Sequence, residues 1–146
     1  MDSPSNLGQK LLGTWRMLSW QRRLVATGEE SDALGPDPFG YINYSPDGRL
    51  MVFVLERGRP RPHGQTPTAE EKIALFDTLF AYVGSYTVDG DRVIHKLDGS
   101  WNELWTGTTQ TRYLTFQEGR LVYLTPETAD PRDGQLCVYR VVFERA

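Results

Sequence analysis

Residues 82–112 read Y-V-G-S-Y-T-V-D-G-D-R-V-I-H-K-L-D-G-S-W-N-E-L-W-T-G-T-T-Q-T-R. V-D-G-D-R at 88–92 is a hairpin turn between two alternating runs. The first, Gly84–Val88, and the second, Arg92–Asp98, therefore pair as antiparallel strands. On the second, Val93, His95 and Leu97 share one face, opposite Arg92, Ile94, Lys96 and Asp98. Gly99–Gly107 is too irregular for a strand. A third strand, Thr109–Gln117, then puts Gln110, Arg112, Leu114 and Phe116 on one side. Both faces combine apolar residues with isolated polar ones, as expected where strands enclose an interior.

The same grammar extends in both directions. Towards the C-terminus, Q-E-G-R (117–120) turns the chain into Arg120–Leu124, and P-R-D-G-Q (131–135) opens a last strand, Gln135–Arg145. Towards the N-terminus, S-P-D-G-R (45–49) joins Phe39–Tyr44 to Leu50–Glu56, with Pro46 and Gly48 suited to the turn. Leu11–Leu24 alternates loosely, with Trp15, Met17 and Ser19 on one face and Thr14, Arg16, Leu18 and Trp20 on the other. Residues 25–38 read as a loop. Residues 1–7 are expected to be a flexible tail ahead of one domain over residues 8–146.

One helix interrupts the meander. Thr68 and Glu71 have capping-box spacing. Ile73, Phe76, Leu79, Phe80 and Val83 recur at helical intervals, which predicts a helix over 68–83. The expected class is all-β with one helix. Eight antiparallel strands with short turns avoid open edges by closing into an up-and-down barrel capped by the helix. A two-sheet sandwich is the alternative.

Composition narrows the function. The formal net charge of -3 argues against nucleic acid as a partner. No apolar run approaches a membrane span, and the N-terminus lacks a signal-peptide pattern, so a cytoplasmic protein is expected. Cys137 is alone, and His63 and His95 show no metal-ligand spacing, so neither a disulfide nor a metal is expected. No cofactor fingerprint is present.

Gly13-Thr14-Trp15 resembles the G-x-W signature of lipocalins and related barrels. The wider pattern resembles the small microbial lipocalin-like domain proteins. It comprises G-x-I-x-Y-S-P-D-G-R (40–49), A-E-E-K (69–72), Y-x-G-x-Y-x-V-D-G-D-x-V-x-H (82–95) and S-x-N-x-x-W-x-G-x-x-Q-x-R (100–112). The resemblance implies an eight-stranded lipocalin-like β-barrel with an internal cavity. It also implies that Trp15 closes one end under an arginine of the last strand, Arg140 or Arg145. Some related barrels accompany natural-product biosynthesis enzymes, where they bind or isomerise a small apolar intermediate. The paired cysteines of secreted lipocalins are absent, which argues against extracellular transport.

The residues that carry chemistry follow from parity. His95 faces inward and has three readings: a hydrogen-bonded core histidine, a ligand contact, or a catalytic acid/base. An inward Arg112 needs a partner, either Glu103 or Glu56, or a ligand carboxylate or phenolate. An outer position at the rim is its other reading. Trp101 and Trp105 form an aromatic wall, core, or a dimer contact. With Tyr44, Tyr86 and Gln110 these complete the expected ligand-binding set. Tyr82 is a further hydroxyl.

The expected function is binding of a small hydrophobic or aromatic molecule in the cavity. One alternative is a cofactor-independent isomerase or cyclase using His95. The other is a filled barrel acting through its surface or as a homodimer.

Overall fold

A computed structural model describes residues 4–146. The elements are α1 (Pro4–Leu11), β1 (Gly13–Leu24), β2 (Glu30–Asp32), β3 (Phe39–Tyr44), β4 (Arg49–Leu55), α2 (Ala69–Asp77), β5 (Leu79–Asp89), β6 (Arg92–Ser100), β7 (Thr109–Gln117), β8 (Arg120–Leu124), β9 (Thr128–Ala129) and β10 (Leu136–Arg145). All strand pairings are antiparallel, and the order β1-β3-β4-β5-β6-β7-β8-β10 closes through pairing of β1 with β10. The result is a closed eight-stranded barrel, as the turn spacing predicts. The short strands β2 and β9 flank the extended β1–β10 ribbon at one end.

The opposite end is plugged from the sequence's own signature. Trp15 is 2 % exposed and its indole Nε1 donates to Leu11 O at 2.9 Å. The Arg145 guanidinium lies 3.9 Å from the centre of the Trp15 ring and donates to the Lys10 and Leu12 carbonyls. Arg145, and not Arg140, is thus the arginine across the tryptophan. Gly13 makes room for it. Its φ is +112°, and a Cβ there would sit 2.9 Å from Arg145 Nη1.

Three expectations are corrected. Residues 4–7, read as tail, are the start of α1, whose Leu7 and Leu11 pack on the core next to Trp15. The first three residues lie outside the described part. The helix expected over 68–83 stops at Asp77. Its capping box is real: Thr68 N donates to Glu71 Oε1 at 2.8 Å and Glu71 N to Thr68 Oγ1 at 3.2 Å. From Leu79 onward, however, the chain pairs with β4. F-A-Y-V-G (80–84) reads at period two as well as at the helical period, and pairing on both edges of the strand decides between them. Phe80, Tyr82 and Gly84 consequently point inward, while Ile73 and Phe76 of α2 remain exposed.

The third correction concerns β1. A register shift between Met17 and Ser19 inserts an extra residue. It turns Trp20 onto the same face as Trp15 and Met17, and Trp20 is 5 % exposed. A second irregularity, between Val83 and Gly84, has a steric reason: a Cβ on Gly84 would lie 1.8 Å from Lys96 O. Among the described residues, no helix is long and apolar enough to cross a membrane.

Candidate functional site

The barrel interior has three layers. At the plugged end are Trp15 and Phe116. In the middle lies a hydrogen-bonded polar cluster. Towards the other end the walls surround a cavity of about 30 Å³, lined by Met17, Trp20, Ile42, Val52, Phe80, Tyr82, Arg112, Tyr123, Thr125, Tyr139, Val141 and Phe143. That space accommodates about one or two waters.

The polar cluster is centred on His95, which is fully buried on β6. Its Nδ1 is 2.6 Å from the Tyr82 hydroxyl and its Nε2 is 2.7 Å from the Tyr44 hydroxyl. Tyr44 in turn hydrogen-bonds to the Tyr123 hydroxyl. Burial, followed by the charge of Arg112, pushes the His95 pKa well below the ordinary value. The imidazole is therefore neutral at pH 7. Burial likewise raises the Tyr44, Tyr82 and Tyr123 phenols, so all three keep their protons. The Arg112 charge acts against that rise at Tyr82, whose hydroxyl it faces.

Arg112 is the exceptional member. It is 7 % exposed, and its Nη1 donates to the neighbouring Thr111 carbonyl at 3.3 Å. The two carboxylates that could neutralise it lie elsewhere. Glu103 accepts from Thr106, and Glu56 lies beside Gly35. Among the described residues no ion pair reaches Arg112. A buried guanidinium without a counter-charge is costly in a fold that has no use for it. Nearby, the indole Nε1 of Trp20 is buried without any hydrogen-bond partner.

Of the residues expected at the site, Arg112 and Tyr82 line the cavity. His95 and Tyr44 lie behind it, as the layer that holds Tyr82 and Tyr123. Tyr86 packs edge-on against Tyr44 and donates to Ser45 O at 2.8 Å, away from the cavity. Gln110 is half-buried and bonds to Thr108 Oγ1 at 2.9 Å. Trp101 and Trp105 lie against Phe80, with ring centres at 4.5 and 5.0 Å, and Trp105 is buried. They form an aromatic layer behind the cavity wall.

Sequence parity missed Trp20 because of the bulge, and Phe80 because of the helix overreach. Tyr123 was missed as well, although its signal was present: Leu121 and Tyr123 share a parity in R-L-V-Y-L.

A salt-bridge cluster fastens the two loops at this end. Asp130, 1 % exposed, accepts from Arg22 at 2.9 Å and from Arg132 at 3.1 Å. Arg22 also reaches Asp133 at 2.7 Å. Arg132 donates to Ala33 O and its guanidinium lies 5.8 Å from the Trp20 ring centre. This ties residues 33–34 and 130–133 over Trp20. Burial alone would raise the Asp130 carboxyl; the hydrogen bonds and charge of Arg132 overcome it and hold the pKa at about 2.

The sign of the linkage follows from that lowered value. Asp130's contribution is complete above the unfolded carboxyl pKa near 4 and is lost as pH falls towards 2. Asp130→Asn should cost about 3 kcal/mol at pH 6, and the gap to wild type should close on acidification. Thermal unfolding of both proteins from pH 6 to pH 2 measures this. Parallel curves over that range would show that Asp130 is not the titrating clamp.

Among curated proteins, none matches the sequence. A family model described as a lipocalin-like domain matches residues 12–146. The match takes in every strand of the barrel and every residue of the cavity wall, and by it the chain belongs to the lipocalin-like domain family.

Proposed function

We propose that the protein binds a small hydrophobic or aromatic molecule in the barrel interior. The observation that carries this is Arg112: a buried cation, without a counter-charge among the described residues, on the wall of an otherwise largely apolar cavity. Binding proteins combine such apolar walls with a few convergent polar groups. The present space of about 30 Å³ admits a polar head group. A ring follows only if Trp20 and Phe80 swing aside, which makes the loops tied by Asp130 the gate of the site.

His95 serves here as a connector. Both ring nitrogens are engaged by tyrosines, and the ring has no face on the cavity. This favours binding over the isomerase or cyclase reading, which needs a proton donor or acceptor against the substrate. The small cavity volume favours the filled-barrel reading, and one experiment separates the two. Native mass spectrometry of freshly purified protein, followed by a denatured run, should show a stoichiometric small-molecule adduct that is released on unfolding. A clean protein mass that stays unchanged after incubation with a small-molecule extract of the source cells would overturn the binding reading.

A further inference from the structure

We infer that the cavity is a donor-lined site whose ligand carries a hydrogen-bond acceptor with negative charge, a carboxylate or a phenolate, set against Arg112, Trp20 and Tyr123. The inference rests on the binding reading above and specifies the ligand class for that site.

The buried cluster holds one proton more than its hydrogen bonds use. Tyr82, His95, Tyr44 and Tyr123 form a chain with three hydrogen-bonded links. Three phenols and one neutral imidazole carry four protons between them. Three links use three protons, so one is left over whichever way the chain runs. Arg112 sets the direction. A guanidinium has no acceptor, so the Tyr82 oxygen turns a lone pair to it and sends its own proton to His95 Nδ1. His95 then carries its proton on Nε2 and donates to Tyr44, and Tyr44 donates to Tyr123. The surplus proton emerges at Tyr123, a residue of the cavity wall.

The other polar groups on the wall agree with this. Trp20 offers an unused indole N–H. Arg112 keeps guanidinium protons beyond the one used on Thr111. Thr125 Oγ1 accepts from Tyr139 N at 2.9 Å, which leaves its own proton to give. The Tyr139 hydroxyl is directed to Asp130. The wall holds no carboxylate, so its one formal charge is positive. A neutral hydrocarbon would leave every one of these donors unpaired, at a free-energy penalty for each. A carboxylate or phenolate oxygen satisfies several together, and charge-assisted bonds to a guanidinium are the strongest kind available.

Benzoate and nitrobenzene test this directly, because they share a shape and differ in charge. Titrations followed by ¹H–¹⁵N spectra should report benzoate at the Trp20 indole N–H and the Arg112 Nε–H. Benzoate should bind at least 10-fold more tightly than nitrobenzene. Arg112→Met should remove that preference while leaving nitrobenzene binding in place. If nitrobenzene binds wild type as tightly as benzoate, the inference of a negatively charged ligand is wrong and cavity binding stands. If neither compound moves the Trp20 or Arg112 signals at millimolar concentration, the binding reading falls and the inference falls with it. Should Arg112→Met fail to fold, the wild-type affinity ratio still decides the matter.

Discussion

Replacing Trp15 by alanine should cost about 4 kcal/mol, close to the largest loss any single substitution in this chain can produce. Three separate interactions end together. The buried indole leaves a cavity at the plugged end of the barrel, because the surrounding β-strands and α1 cannot collapse fully into it. The Leu11 carbonyl loses the donor 2.9 Å away. Arg145, whose guanidinium stacks 3.9 Å from the ring centre, loses its aromatic partner. For a domain of this size about 4 kcal/mol corresponds to a fall in Tm of roughly 10 °C. Urea and thermal unfolding of Trp15→Ala measure it directly. Arg145→Met should cost less, about 1–2 kcal/mol, since its head is partly in water. The two changes should be less than additive, because they break one shared contact. A loss below about 1 kcal/mol for Trp15→Ala would mean that the signature does not hold the barrel closed.

The second large effect is expected at His95. In His95→Leu the Tyr44 and Tyr82 hydroxyls each lose a partner at 2.7 and 2.6 Å in the buried interior. Each buried hydroxyl left one hydrogen bond short costs about 1–3 kcal/mol, so the variant should lose about 2–5 kcal/mol. His95→Gln offers both a donor and an acceptor and should recover part of that. In the His95→Leu background, adding Tyr82→Phe should cost less than in wild type, since the Tyr82 hydroxyl has already lost His95 and only its interaction with Arg112 remains. The same Tyr82→Phe change in wild type should be destabilising, because it strands His95 Nδ1 and removes the oxygen that faces Arg112. Denaturant unfolding of the four proteins gives the coupling. If His95→Leu were as stable as wild type, the tyrosine–histidine chain would contribute nothing to the fold.

How much of this was legible depended on whether a residue obeyed a local period. Val93, His95 and Leu97 alternate without interruption, and all three are buried as parity predicts. Arg112 followed from the same alternation on the next strand. Trp20 did not, because one extra residue near Leu18 reverses the parity of everything after it, and nothing in R-M-L-S-W announces the bulge. Phe80 was placed on a helix because I-x-x-F-x-x-L-F satisfies the helical period up to the point where the strand begins. Only the pairing with β4 and β6, which lies outside any local window, fixes the change of period.

Parts of the site were invisible for a different reason. Arg22 and Asp130 are 108 positions apart and meet only because β1 and β10 close the barrel. The Tyr44 and Tyr123 hydroxyls, 79 positions apart, meet across its interior. The G-x-W signature shows the opposite case. Three residues implied a distant arginine, and the choice between Arg140 and Arg145 needed only the register of the last strand, which brings Arg145 opposite Trp15.

The tautomer of His95 reports the direction of the hydrogen-bonded chain that delivers a free proton to the cavity. Long-range ¹H–¹⁵N correlations of the imidazole should show a neutral ring, protonated on Nε2, from pH 8 to pH 5. That result follows from burial, from the charge of Arg112, and from the Tyr82 proton pointing at Nδ1. A ring protonated on Nδ1 would mean that the chain runs the other way, with Tyr123 donating into it and no proton offered there. A ring that titrates near pH 6.5 would place water or a carboxylate beside His95 and contradict the closed polar layer on which the account depends.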